Sequence, residues 1–440
     1  MTSRPEHRRW FGVWPSYSLA VALGVGAAAC GVELDSPAEV DSLRILGVRK
    51  NPPYAAPGED VELSMLWYDG TLDDGQPRQT DVERVWIGGC TNPPGDFYYG
   101  CAPNVLFTLA ALRAAQEGFS EQELMDVAAQ FADVKSESEL VDALRSLPFD
   151  FEGPLLEPGV PTEPLAFGQF GVGDRFTLSV PTDVIARFPE NREPYGVMFP
   201  FFAACAGTLY VSLDVLDQVV PLECRDEYDK VLGSDDFVLG YASVYAYENL
   251  QNSNPTITGF EVGDVTLDAS SPFLCIDEDC LVPDEPLAVG EACTRHLECA
   301  SEYCDGGVCA EAVEPACDEE DVPCIDPCAD DGDVTKCDTI PIRPLLDRDQ
   351  VAEDDPLSSV GGETSEEQIW VNYHVDQGGV ANVVRLVNDS TKGWNEDYGT
   401  ELAAPAGHSV RSSMYVWAVV RDNRGGASWA RQKVFVKAEP

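Results

Sequence analysis

The sequence predicts a mainly β fold built from two β-sandwich modules, and three observations carry that prediction. Apolar residues alternate with polar ones over short runs, as in Val61, Leu63, Met65 and Trp67, or Ile369, Val371, Tyr373 and Val375; a period of two puts them on one face of a strand. Pro, Gly and Asn turn signals separate these runs, the spacing of a sandwich. The cysteines crowd into a stretch where aliphatic residues run out, so covalent staples have to replace a core there.

In chain order, MTSRPEHRRWF supplies a basic start with Arg4, Arg8 and Arg9, and Ser18–Ala29 is an apolar run too short to cross a bilayer comfortably. Together they read as a secretory signal over residues 1–29. Cleavage after Ala27-Ala28-Ala29, an A-x-A site, is one reading of its end. The other rests on LGVGAAACG, which resembles the lipobox of bacterial lipoproteins, with Ala27 where that family favours Leu. The resemblance implies cleavage just before Cys30, diacylation of its thiol and acylation of the new N-terminus. Several chains at ~0.8 kcal/mol per buried CH₂ would make a durable anchor. The chain has 15 Cys, and setting Cys30 aside as a lipid carrier leaves an even number that can pair completely. HRRWF is similar to a twin-arginine export signal, but the expected disulfides favour the general secretory route.

After a tether over 30–40, the first module spans 41–252. Its strands are read in DSLRILGVRKNPPYAAPGEDVELSMLWYDG, ERVWIGG, DRFTLSVP, YGVMFPFFAACAG and DDFVLGYASVYAYE. The segment at about 104–147 has helical period, with Ser120 and Glu123 spaced as a capping box, and is expected as a helical insertion. The second module spans 253–440. It opens on NLQNSNPTITGFEVGDVTLD and closes on two strands joined by RDNRGG, where Met414, Val416, Ala418 and Val420 share a face. Between them, about 275–340, lies an acidic Cys-rich insertion.

Fourteen cysteines are disulfide candidates in an exported chain. Cys90 and Cys101 flank TNPPGDFYYG, Cys205 and Cys224 could tie neighbouring strands, and Cys275 and Cys280 form a local pair. Cys293, Cys299, Cys304 and Cys309 form a four-Cys unit, with first-to-third and second-to-fourth pairing favoured among three possibilities. Cys317, Cys324, Cys328 and Cys337 would make the last two bridges. Zinc is the rival reading, but only His296 lies near and no C-x₂-C spacing occurs. Asp330, Asp331, Asp333 and Asp338 in DPCADDGDVTKCD offer hard oxygen ligands on a Gly-containing turn, a weak calcium candidate whose spacing departs from an EF-hand loop. No other cofactor is expected.

A balance of 28 Lys and Arg against 77 Asp and Glu, net −49, excludes nucleic-acid binding, which needs a basic face. It also argues against unaided contact with an anionic membrane. Four His leave little for catalysis: His7 falls in the leader, His296 in the Cys-rich unit, His374 opposite the apolar face of its strand, and His408 beside Ser409 without a triad. No G-x-S-x-G, HExxH or phosphate-loop motif is present.

The layout resembles the two-module, immunoglobulin-like surface lipoproteins abundant in myxobacteria. The residues that carry the likeness are GAAAC, DSLRILGVRKNPPYAAPGE, FFAACAG…PLECRDEY…FVLGYASVYAYENLQNSNPTITG, WVNYHVDQGG and VWAVVRDNRGGASW. GEACTRHLECASEYCDGGVC is similar to short Cys-rich repeats akin to the Dickkopf N-terminal type. The likeness implies fold and location, not activity. The expectation is a cell-envelope lipoprotein, in the outer membrane by preference, held to the membrane through Cys30 and acting without catalysis as a binding, adhesion or scaffolding module toward a protein or glycan. The alternatives are calcium-assisted recognition of a glycan or surface polymer and, below it, a carboxylate-dependent hydrolase with two acids some ~5–10 Å apart.

Overall fold

The runs of alternating residues form strands, and what covers each face explains which residues sit on it. The computed structural model describes residues 38–437 apart from 74–75, 79–80, 121, 124–136, 157–168, 187–193, 216–218, 284–285, 306, 312–314, 316, 318–320, 329–335, 361–362 and 406–412. It is mainly β, with several sheets. Residues 1–29, read as a secretory signal, and Cys30 lie outside the described residues.

In the N-terminal half, Leu43–Asn51, Asp60–Asp69 and Arg175–Ser179 form an antiparallel sheet. Val61, Leu63 and Met65 are fully buried on its inner face, together with Phe176 and Leu178. They pack on Trp86, Phe202, Val244 and Ala246 from the strands Glu83–Ile87, Phe201–Cys205 and Val244–Tyr247. Trp67, the fourth residue of the alternation, sits at the rim of this core, half-buried. The strand Phe201–Cys205 is buried at every position because its second face is covered too. Phe201, Ala203 and Cys205, with Val85 and Ile87, meet Val105, Leu109 and Leu112 of the helix Ala102–Gln116. A strand covered on both sides reads as an unbroken apolar run, and that is FFAAC. Pro200 breaks the stretch YGVMFPFFAACAG into two strands, Tyr195–Met198 and Phe201–Cys205, since it has no N–H to give a ladder.

The expected helical insertion supplies Ala102–Gln116 and a second helix, Glu137–Arg145; much of what lies between is outside the described residues. Ser120 donates its N–H (2.8 Å) and hydroxyl (2.6 Å) to Glu123 Oε2, one side of the capping box.

In the C-terminal half, the strands Val265–Asp268, Ile257–Val262, Thr339–Leu346, Thr400–Ala403 and Gly379–Val380 order into one sheet. A larger sheet centres on Ile369–Val375, Ser413–Asp422 and Ala427–Val436, paired antiparallel. Ile369, Val371, Tyr373 and Val375, and Met414, Val416, Ala418 and Val420, have no exposed surface. They share a core with Phe260, Val262, Ile342 and Leu402 of the other sheet.

The far face of Ser413–Asp422 is buried as well. Trp417 and Val419, with Trp429, pack on Val40, Leu46 and Leu66 from the N-terminal half, and residues 37–440 make one compact unit. Ala38 and Val40, in the stretch read as tether, are buried and bracket Val375 with hydrogen bonds of 2.8 and 2.7 Å. Beside this apolar seam lies a polar one. Lys50 donates to Ser243 O at 2.9 Å, and burial pushes its ammonium down to about 8, against the pull of Asp422. Asp422, in the turn RDNRGG, accepts from Arg424 N (2.7 Å), Gly426 N (2.8 Å) and Asn252 Nδ2 (3.1 Å). Buried polar groups are held this way or they destabilise the fold.

Fourteen cysteines form seven disulfides: Cys90–Cys101, Cys205–Cys224, Cys275–Cys280, Cys293–Cys304, Cys299–Cys309, Cys317–Cys324 and Cys328–Cys337. The four-Cys unit pairs first to third and second to fourth. Its interior consists of Cys293, Cys299 and Cys309 with Leu287 and Cys304 around them. At both ends the insertion joins the larger sheet: Leu274–Ile276 runs antiparallel, and Cys324–Ile325 parallel, to Ala427–Val436.

Candidate recognition cleft

Aromatic and arginine side chains from four segments, joined by residues of the Cys-rich insertion, line a cleft of about 620 Å³ where the two halves and the insertion meet. Strand Asp60–Asp69 contributes Trp67, Tyr68 and Asp69, and Ser413–Asp422 contributes Tyr415 and Trp417. Arg78, Asp81 and Arg84 come from the loop after Asp60–Asp69 and the strand Glu83–Ile87, Cys280–Pro283 and Glu302 from the insertion, and Arg431 from the last strand. Its volume falls within the ~300–1,000 Å³ of small-molecule sites, which favour such junctions.

Each arginine is matched to an acid. Arg78 Nε lies 2.7 Å from Asp69 Oδ2, and its Nη1 pairs with Asp236. Arg84 Nε lies 2.6 Å from Asp174 Oδ1, which also accepts the Trp67 indole N–H at 2.8 Å. The Arg84 guanidinium rests 4.5 Å from the centre of the Trp67 ring, a cation–π contact that fixes both. Arg431 lies 3.3 Å from Glu302 Oε1 and stacks 4.5 Å over Tyr415. Tyr68 packs on Trp417 with ring centres 4.7 Å apart.

Glu302 is the insertion's contribution. Its backbone is left-handed, φ +55°, uncommon for a side-chain-bearing residue and concentrated at functional positions. The carboxylate accepts from the Tyr415 hydroxyl and pairs with Lys433 at 3.3 Å. Burial pushes this carboxyl up, but Arg431, Lys433 and Tyr415 outweigh it and leave Glu302 below the usual glutamate range. The Tyr415 phenol is pushed up, chiefly by burial. A neighbouring cavity of about 330 Å³ shares Glu302, Tyr415 and Arg431 with the cleft.

The sequence-derived site residues fall elsewhere. Cys30, Asp330, Asp331 and Asp333 lie outside the described residues, and Asp338 is exposed. Sulfurs of Cys293, Cys299 and Cys309 lie within 4.8 Å of one another, as zinc ligands would, yet all three are committed to disulfides. His296 accepts the Cys304 N–H at Nδ1, 3.0 Å away, and burial pushes its imidazole down. Burial and Arg421 push His374 down to about 4, so it is neutral at physiological pH.

Sequence reading missed the cleft because its walls are far apart in the chain. One signal existed: opposite Met414, Val416 and Ala418 stand Tyr415 and Trp417, and a strand aromatic on its second face is covered there or binds something there. Among the described residues no helix is long and apolar enough to cross a membrane.

No family model matches the chain, and no curated protein matches it. Among solved structures it is similar to the three N-terminal domains of the Highly Immunogenic Outer Capsid protein (Hoc) of bacteriophage RB49. The match covers 91% of this chain and 99% of that one at 7% identity, with a TM-score of 0.14, too low to bear on fold or function.

Proposed function

We propose that the chain is a non-enzymatic binding protein of the cell envelope, tethered by lipid on Cys30 and favouring the outer membrane. In this reading the two halves are immunoglobulin-like β-sandwich modules, and the junction cleft is where a small polar ligand is held. The cleft is the observation that carries the reading: aromatic walls drawn from both halves and three arginines already matched to acids. A site whose charges are satisfied among themselves suits a ligand recognised by shape and hydrogen bonds. The arrangement is preorganised, so binding loses little free energy in ordering side chains. The calcium-assisted alternative rests on four aspartates of which only the exposed Asp338 is described.

Asp81 is exposed at the cleft lining, so Asp81→Trp would obstruct the opening without touching a core. Thermal shift against a panel of amino acids, sugars and nucleosides tests the reading. At least one compound should raise Tm in the native protein, by an amount corresponding to about 2.7 kcal/mol at a hundredfold excess over Kd, and not in D81W. A panel without effect, or one acting equally on both proteins, overturns the cleft as the binding site.

A further inference from the structure

Outside the cleft lining, the Cys90–Cys101 loop holds a group of rings that the core does not use. Phe97, Tyr98 and Tyr99 are 51%, 37% and 57% exposed, and Tyr241, at the end of an edge strand, is 44% exposed. They form two stacked pairs. Phe97 lies on Tyr99 with centres 5.1 Å apart and planes within 11°, and Tyr98 lies on Tyr241 at 4.2 Å and 20°. The pairs meet where Tyr98 and Tyr99 stand edge to face at 6.0 Å. Behind them Phe199 and Phe201, both buried, touch the Tyr241 ring at 5.9 and 6.2 Å.

The loop is built to hold these rings still. Its ends are joined by a disulfide that is itself buried in the core. Gly95 takes φ +72° with the Phe97 ring 2.9 Å from where a Cβ would stand, so no other residue fits without moving that ring. Asn92 donates to Val184 O at 2.5 Å and accepts from Val197 N at 2.8 Å. The Tyr195 hydroxyl donates to Asp96 at 2.5 Å. Exposed aromatic residues on a fixed loop lose little entropy when covered, which is the signature of a recognition surface rather than of a loosely packed tip.

We infer that the Phe97–Tyr98–Tyr99–Tyr241 platform binds neutral saccharide chains. Charge selects the partner class. CTNPPGDFYYGC contains one acid and no base in a chain with 77 acids, so the platform offers a cationic partner less than the rest of the surface does. The net charge of −49 repels anionic polymers and anionic bilayers. What the platform does present is flat C–H-accepting ring faces alternating with three phenol edges. A pyranose is complementary: C–H bonds on its faces, hydroxyls around its rim. Successive sugars of one chain can engage the two stacked pairs in turn.

Affinity electrophoresis of the intact protein in native gels carrying soluble starch, dextran or hydroxyethyl cellulose tests the inference. Phe97→Ala with Tyr99→Ala removes one stacked pair at exposed positions, and an unchanged melting curve establishes that the variant is folded. The expected result is retardation of the native protein on at least one neutral polymer, unchanged in D81W and about tenfold weaker in F97A/Y99A, a loss of ~1.4 kcal/mol. Absence of retardation on all three polymers overturns the inference, as does equal retardation of native protein and F97A/Y99A. So does preferential capture of the native protein by phosphatidylcholine vesicles, or self-association abolished by F97A/Y99A, since the platform would then serve a membrane or a second copy. Because D81W reports on the cleft and F97A/Y99A on the platform, failure at one site leaves the other standing.

Discussion

The Cys-rich unit at residues 286–310 and the core under Ile369–Val375 solve the same problem by opposite means. Under Ile369–Val375, side chains from two sheets exclude water completely; Ile369, Val371, Tyr373, Phe260 and Leu402 have no exposed surface. In the unit, Val289 and Val308 stay exposed and the interior is mostly sulfur, with Leu297 buried and Leu287 partly buried as its aliphatic residues. Apolar burial at ~25 cal/mol per Å² scales with side-chain area, which the unit lacks. Its two bridges act instead by restricting the unfolded chain. The difference teaches where function can be placed: the core between the two sheets turns its side chains inward, while the stapled unit is free to turn Glu302 outward into a cleft.

Phe260→Ala would break the first side of this comparison most severely. Phe260 is fully buried between the sheets, and truncating a core Phe costs about 3–5 kcal/mol. The urea midpoint of the whole protein should fall, because the core is shared by both sheets. Cys299→Ser with Cys309→Ser attacks the other side. A native bridge in a small unit contributes ~2–5 kcal/mol, but here the loss should stay local. Hydrogen exchange should show amides of 287–309 losing protection while those of Ser413–Asp422 keep theirs. A global drop in the double mutant equal to that of F260A would mean the unit is part of the main cooperative structure.

The same contrast decides what the sequence revealed. Alternation was readable wherever one face of a strand meets a core and the other does not, as in Ile369–Val375, with Trp370, Asn372 and His374 between the buried positions. Where both faces are covered, as in Phe201–Cys205, the sequence shows only an apolar run, and its second partner, the helix Ala102–Gln116, lies about a hundred residues away. The stapled unit was legible as a unit because its four cysteines are close in sequence and pair among themselves. The cleft was not. Trp67 and Trp417 are neighbours of one cavity, but only the folded arrangement of segments far apart in the chain makes them so, and each residue read alone passes for a strand residue. Glu302 is one acid among many until its partners Arg431, Lys433 and Tyr415 are known.

Glu302→Gln sharpens the comparison with the smallest effect, because at the cleft wall it alters one contact between the stapled unit and the larger sheet. Its carboxyl lies below the usual glutamate range when folded, so the charged form is the one the fold prefers. A depressed carboxyl stabilises fully above its unfolded value, about 4.3, and that contribution disappears as pH falls through the lower folded value. Docking of the unit in the native protein should therefore hold at neutral pH and loosen under acid, by about 1–3 kcal/mol for charge-assisted bonds. In E302Q the neutral amide still reaches Tyr415, but Arg431 and Lys433 lose their counter-charge, so docking should be weakened already at neutral pH and should not loosen further through this window. Radical footprinting of Tyr415, whose hydroxyl Glu302 covers, reads this directly: low reactivity rising with acid in the native protein, and a raised, flat profile in the variant. Matching profiles in the two proteins would mean that the unit is held by its neighbouring strands Leu274–Ile276 and Cys324–Ile325 alone, and that Glu302 serves the cleft without fastening it.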